Sequence, residues 1–229
     1  MSEQTPYGIE EDDNVTFELV EFVENPDPRC PCILLLDCSG SMNGAPIQEL
    51  NKGLKAFQQQ LRSDDMASKR VEVTVLKFAS DVEVINEFET AEYFEPQELT
   101  AGGLTSMGTA IERAIQMLEQ RKTVYKANGI AYYRPWIFLI TDGAPTDDYT
   151  NAMQMVHDGE KNRQFAFFSV GVQGADMNIL KQISDREPLM LDGLNFAGLF
   201  QWLSNSMSSV SRSSTDEVVA LTPPGWAKV

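Results

Sequence analysis

Histidine is nearly absent: His157 is the only one among 229 residues. That removes most Ser/His and Cys/His catalytic arrangements and any histidine-rich metal site. It lies in the polar stretch Met155-Val156-His157-Asp158-Gly159, where a solvent-facing helical position is expected. Cysteine is scarce too, with Cys30, Cys32 and Cys38 as the full set. An odd, clustered count gives no disulfide framework, and Cys30-x-Cys32 without a second pair is a poor zinc signal. Reduced cysteines of a cytoplasmic protein are the expectation. Basic residues are outnumbered, 18 against 34 acidic, for a net charge of −16. Such a surface repels phosphate backbones and so argues against nucleic-acid binding. Long apolar runs are missing as well. Ile33 to Leu36 is far too short to span a bilayer, and no membrane role is expected. The stretch from Met1 to Asp13 is polar and acidic, without the basic start and apolar centre of a secretory signal.

What is present alternates between strand and helix. Residues 1–29 read as an acidic extension, with Glu10 to Asp13 solvated and a short strand suggested by Val15, Phe17 and Leu19. Pro26 and Pro28 then punctuate the chain. Ile33 to Leu36 reads as a central strand buried on both faces. Pro46 suits the first turn of a helix carrying Ile47, Leu50, Leu54, Phe57 and Leu61 at spacings of three and four. Strands at Val71 to Leu76 and Val82 to Phe88 are joined so tightly that they must form an antiparallel hairpin. A helix with Ile111, Ile115 and Leu118 inward follows Gly102-Gly103. The strand Trp136 to Ile140, a helix over 148–162 and the strand Phe165 to Val170 come next. A short helix near Met177 to Ile183, a short strand at Leu189 to Leu191 and a last helix with Phe196, Leu199, Phe200, Leu203 and Met207 complete the series. Together these predict one α/β domain over 30–210. It is doubly wound, with a mostly parallel six-stranded sheet, one antiparallel edge hairpin strand and helices on both faces. Residues 211–229, ending Pro223-Pro224-Gly225-Trp226, read as a loose or peripherally docked tail.

In such sheets, ligands sit beyond the strand carboxyl ends where the strand order reverses. Three loops there carry oxygen. Asp37, Ser39 and Ser41 alternate after the first strand, Asp142 follows Trp136 to Thr141, and Thr105 enters a helix after Gly102-Gly103. An all-oxygen set suits Mg2+ or Mn2+ better than zinc or copper. Hydroxyl ligands bring no formal charge, so an ion held by two carboxylates stays electrophilic and accepts one more anionic oxygen. Taken alone, Asp-x-Ser-x-Ser is also an ordinary capped turn, and Thr146 or Asp147 suits the cap of the next helix, with Asp147 and Asp148 matching its positive end. Asp147 and Asp148 could instead form an acidic rim that selects a partner with basic residues beside its metal-binding acid. Gly103 to Thr109 has P-loop glycine spacing but lacks the lysine that a nucleotide needs.

Asp37-x-Ser39-x-Ser41, Thr105 and Asp142-Gly143, each after the right strand, resemble the metal-ion-dependent adhesion site of von Willebrand factor A domains. The resemblance covers about residues 32 to 208. It implies that Ser39 and Ser41 bind the metal directly, that Thr105 and Asp142 bind directly or through water, and that Asp37 orients the site. The sixth position would take a Glu or Asp of a protein partner. It also implies a last helix able to slide when ligand binds. The segments Leu34 to Met42, Leu99 to Ser106 and Leu139 to Asp148 are similar to bacterial TerY-type members linked to tellurite resistance and stress. That likeness implies a kinase or phosphatase partner. The early extension and the Pro-Pro-Gly-Trp tail depart from that pattern. Two other functions fit less well. A metal-dependent phosphohydrolase or phosphotransferase would need a charge clamp, and no lysine or arginine lies in the three loops. A metal-independent assembly scaffold would bind through helical faces or the tail.

Overall fold

The computed structural model describes residues 22–228. The expected strand at Val15 to Leu19 and the Glu10–Asp13 run lie outside them. Strand β1 (Cys30–Asp37) is buried at every position. It pairs in parallel with β2 (Val71–Phe78) on one side and β4 (Trp136–Thr141) on the other. The hairpin strand β3 (Val82–Thr90) runs antiparallel to β2, as the three-residue link requires. Beyond β4 come β5 (Ala166–Gly171) and β6 (Leu189–Leu191), both parallel. The six strands therefore run in the predicted directions.

A seventh strand extends it. The tail returns to the sheet edge, where β7 (Ala227–Lys228) lies antiparallel to β6, giving the order β3-β2-β1-β4-β5-β6-β7. Trp226 is 2% exposed and packs edge-on against Trp202 at 5.8 Å between ring centres. Of the two expectations for the tail, the docked one holds for this segment.

Side chains of β1 alternate between two cores, because successive residues of a strand point to opposite faces. Leu34 and Leu36 face helices α1 (Ala45–Arg62) and α6 (Phe196–Ser211), while Ile33 and Leu35 face α3 (Met107–Ala127) and α4 (Thr150–Lys161). Two shorter helices, α2 (Asp65–Arg70) and α5 (Met177–Ile183), lie between them in sequence. The predicted apolar stripes of α1 and α6 are the ones buried. The two helices approach so closely that a Cβ on Gly53 would come within 2.5 Å of the Phe200 ring. His157 is not simply solvent-facing: its Nδ1 lies 3.1 Å from Asp185 Oδ1 and its Nε2 lies 2.9 Å from the Gln182 carbonyl. It contacts none of the three oxygen-bearing loops in these bonds.

The chain leaves β1 towards β2 on one side and reaches β4 on the other only after crossing over through α3. The reversal of strand order falls between β1 and β4. In open α/β sheets the carboxyl ends diverge at such a reversal, and the crevice between them is where ligands bind.

Candidate functional site

Asp37 is the last residue of β1 and Asp142 the first after β4, so neighbouring strand ends deliver both carboxylates to that crevice. The Asp37 side chain is buried, and both of its oxygens are engaged. Oδ1 accepts from the Ser39 amide at 2.8 Å and Oδ2 from the Thr141 hydroxyl at 2.5 Å. The first bond closes a tight turn that brings Ser39 and Ser41 to the same side, their hydroxyl oxygens 3.0 Å apart. Ser41 Oγ in turn donates to Asp142 Oδ1 at 2.7 Å. Ser39, Ser41 and Asp142 thus form one continuous chain of oxygens across two loops.

The third loop is tied to both others by its backbone. Gly40 donates to the Gly103 carbonyl at 3.1 Å and Gly102 to the Cys38 carbonyl at 2.8 Å. Gly103 takes φ +84°, a conformation that side-chain-bearing residues rarely adopt, and a Cβ there would also strike Ser80 Oγ at 2.5 Å. This turn delivers Thr105, which is 6% exposed. The space between loops is kept by Gly143: a Cβ on it would sit 3.4 Å from Thr105 Oγ1 and 3.9 Å from Asp37 Oδ2. All five sequence-predicted residues therefore meet at one edge of the sheet.

One contributor escaped the sequence reading and two were assigned the wrong partners. Thr141 ends the buried strand β4 and holds Asp37, a role that a hydroxyl at the close of an apolar run could have signalled. Thr146 Oγ1 accepts from the Thr105 amide at 3.0 Å, while the Thr146 amide donates to the Thr105 carbonyl at 2.9 Å. Asp147 corrects the expected cap. It does not cap α4; its carboxylate accepts from the Gly108 and Thr109 amides at 3.0 and 2.8 Å and so caps α3, across the crevice. Asp148 is the residue beside α4, where it accepts from the Thr150 amide at 2.9 Å.

Electrostatically the site is short of positive charge. Burial pushes the Asp37 carboxyl above the usual carboxylate range, the Thr141 and Ser39 hydrogen bonds pull it back, and the Asp142 charge adds to the rise. No lysine or arginine occurs in 37–44, 102–109 or 141–149. Cys38 offers no thiolate, because burial, with help from the Asp37 charge, pushes its thiol up to about 12. Among the described residues no cluster of three or more His, Cys, Asp or Glu is assembled for a metal. What the crevice offers is two carboxylates and three hydroxyls, a hard-oxygen set that fits a small divalent cation and not a soft one. A transferred phosphoryl group would find no lysine or arginine clamp in these three loops.

Several solved structures share this architecture. The open pilus adhesin SpaC from Lactobacillus rhamnosus GG is similar at a TM-score of 0.62 and 13% identity, covering 80% of this chain and 30% of its own. The von Willebrand factor domain of the type V pili tip protein Mfa5 from Porphyromonas gingivalis gives 0.59 and 12%, over 84% of this chain and 99% of that one. Proximal thread matrix protein 1 from the mussel byssus, in a form with zinc in its metal-ion-dependent adhesion site, gives 0.54 and 19%, over 80% and 48%. The chain thus spans less than half of the adhesin and of the mussel protein. At these identities the likeness speaks for the fold alone. No curated protein matches the chain, and the narrower likeness to TerY-type proteins gains no support from the comparisons. The profile of the von Willebrand factor type A domain matches residues 32–197, from inside β1 to the start of α6. With that match over most of its length, and with the sheet order just described, the chain belongs to the von Willebrand factor type A domain family.

Proposed function

We propose that this protein is a divalent-cation-dependent binding module. In this reading Ser39, Ser41, Thr105 and Asp142 hold Mg2+ or Mn2+, Asp37 orients the serine loop, and a Glu or Asp of a partner protein completes the coordination. Domains of this family are commonly metal-dependent interaction modules. The observation that carries the reading is the hydrogen-bonded series Ser39–Ser41–Asp142, set beside Asp37 in three loops that contain no lysine or arginine. The metal would supply positive charge and, with only Asp37 and Asp142 among the five site residues charged, would keep an appetite for a third carboxylate. The mussel protein's zinc-occupied site is support by analogy for a metal here. The choice of Mg2+ or Mn2+ rests on the oxygen-only donor set.

A cytoplasmic location agrees with three buried, free cysteines, and among the described residues no helix is long and apolar enough to cross a membrane. A place in a bacterial stress system, with a kinase or phosphatase as partner, rests on the likeness of the loop sequences alone.

The test has two parts. Calorimetry of Mg2+ binding should give a single site that Asp142→Ala abolishes. Affinity capture from lysate should yield a partner that chelator releases and Mg2+ restores. Capture that persists in excess chelator, with Asp37→Ala as effective as the native chain, would sink the proposal.

A further inference from the structure

The edge of the sheet that carries the candidate metal site has an uneven composition. Five loops meet there: 37–44, 79–81, 102–109, 141–149 and 171–177. The turn at 79–81 belongs to this edge because Ser80 Oγ accepts from the Leu104 amide at 3.1 Å and the Ser80 carbonyl accepts from Ser106 Oγ at 2.9 Å. The 171–177 loop belongs because Val172 donates to the Thr141 carbonyl at 2.8 Å and a Cβ on Gly174 would lie 3.2 Å from the Asp142 carbonyl. These loops hold six carboxylates (Asp37, Asp81, Asp142, Asp147, Asp148 and Asp176) and no lysine, arginine or histidine. Lys77, near the end of β2, is already paired with Glu83 at 2.7 Å. A dication offsets two of those charges and leaves the face negative. Helix caps spread the charge of Asp147, Asp148 and Asp176 but do not cancel it.

A partner that brings a carboxylate to such a face meets repulsion from everything around the ion. Only a partner whose own neighbouring residues are basic avoids it. The second feature is Leu104. It is 60% exposed, one of five large apolar side chains that stand out among the described residues, and it directly precedes Thr105. Its backbone is pinned by Ser80 and by the Gly103 turn, so its exposure is built into a tied loop.

Resting on the metal-site reading above, we infer that the partner segment carries a single metal-binding acid flanked by basic residues, with an aliphatic side chain placed to cover Leu104. Acidic runs are excluded, this chain's own Glu10-Glu11-Asp12-Asp13 among them. Selectivity therefore belongs to the rim, and affinity for any carboxylate belongs to the ion.

Three fluorescent synthetic peptides of equal length test this with the full chain in Mg2+. The first carries one Asp between lysines with a leucine two residues away, the second replaces that leucine by serine, and the third repeats Glu10 to Asp13. Anisotropy titrations at low salt should rank the first at least about tenfold above the third, and added salt should narrow the gap as screening sets in. Leu104→Ser should weaken the first peptide by about threefold to tenfold and leave the second unchanged. Equal affinity of the first and third peptides, a salt-independent gap, or indifference of the first to Leu104→Ser would overturn the inference. Calorimetric Mg2+ binding with no binding of the first peptide overturns it as well, while leaving the metal site standing. Absence of Mg2+ binding altogether would instead overturn the metal reading on which it rests.

Discussion

At the amino ends of β1 and β2 the Glu72 carboxylate is fully buried between two guanidinium groups, whereas at their carboxyl ends the equally buried Asp37 is held by one hydroxyl and one amide. Arg29 Nε reaches Glu72 at 3.0 Å, Arg121 adds bonds at 3.0 and 2.8 Å, and the Tyr125 hydroxyl donates as well. Burial first, and then the Glu72 charge, push the Tyr125 phenol well above its ordinary value, so it stays a donor. Phe22 covers this cluster, with both guanidinium groups within 5.3 Å of its ring centre. The two ends bury similar charges for different ends. One is supplied with counter-charge by its own chain and serves architecture; the other has no lysine or arginine in the loops around it, and in the function proposed above a cation supplies the counter-charge. A buried acid is therefore uninformative until its partners are known.

Four measurements can break or sharpen this contrast. The largest effect should come from Glu72→Gln, which strands two buried guanidinium groups and should lose about 3–5 kcal/mol in chemical denaturation. An effect no larger than that of Asp142→Ala would erase the contrast. Next comes the metal. Mg2+ at a hundredfold excess over its dissociation constant should raise stability by about 2.7 kcal/mol, read as a shift of the denaturation midpoint, and Asp142→Ala should lose that gain while Glu72→Gln keeps it. Asp147→Ala should cost about 1 kcal/mol by uncapping α3, with or without metal. Smallest in the metal-free protein is Ser41→Ala at an exposed position, about 0.5–1 kcal/mol for its solvent-accessible bonds to Asp142 and Ser39. The same substitution should weaken Mg2+ binding at least about tenfold by calorimetry. A Ser41→Ala protein that binds Mg2+ normally would remove the hydroxyl from the proposed coordination.

The difference between the ends also marks what was legible beforehand. Asp37, Ser39 and Ser41 declare themselves by local spacing, and the buried runs before Asp37 and Asp142 place them at neighbouring strand ends. The helices α1 and α6 were readable from stripes that the packing merely confirms. Glu72 gave no such sign, because its partners come from positions 43 residues before it and 49 after it. Asp147 misled for the same reason: an acid just before a helix satisfies a local rule, yet its carboxylate reaches amides 38 and 39 residues earlier in the chain. The seventh strand was hidden by its length of two residues, too short for any alternation to register. Local periodicity reports elements, and tertiary pairing decides what a polar side chain does within them.

The returning tail has a mechanical consequence. Behind β6, itself joined to β5 by two pairs, stand parallel ladders of five to eight paired residues, while β7 is fastened by two pairs to β6, by the Asp192 amide on the Trp226 carbonyl at 3.0 Å, and by one indole wedged beside another. A pull on the carboxyl terminus loads those fastenings one after another and not all at once. The tail then peels away at low force, lengthening the tether and drawing Trp226 into water, before tension reaches the strands that hold the loops in register.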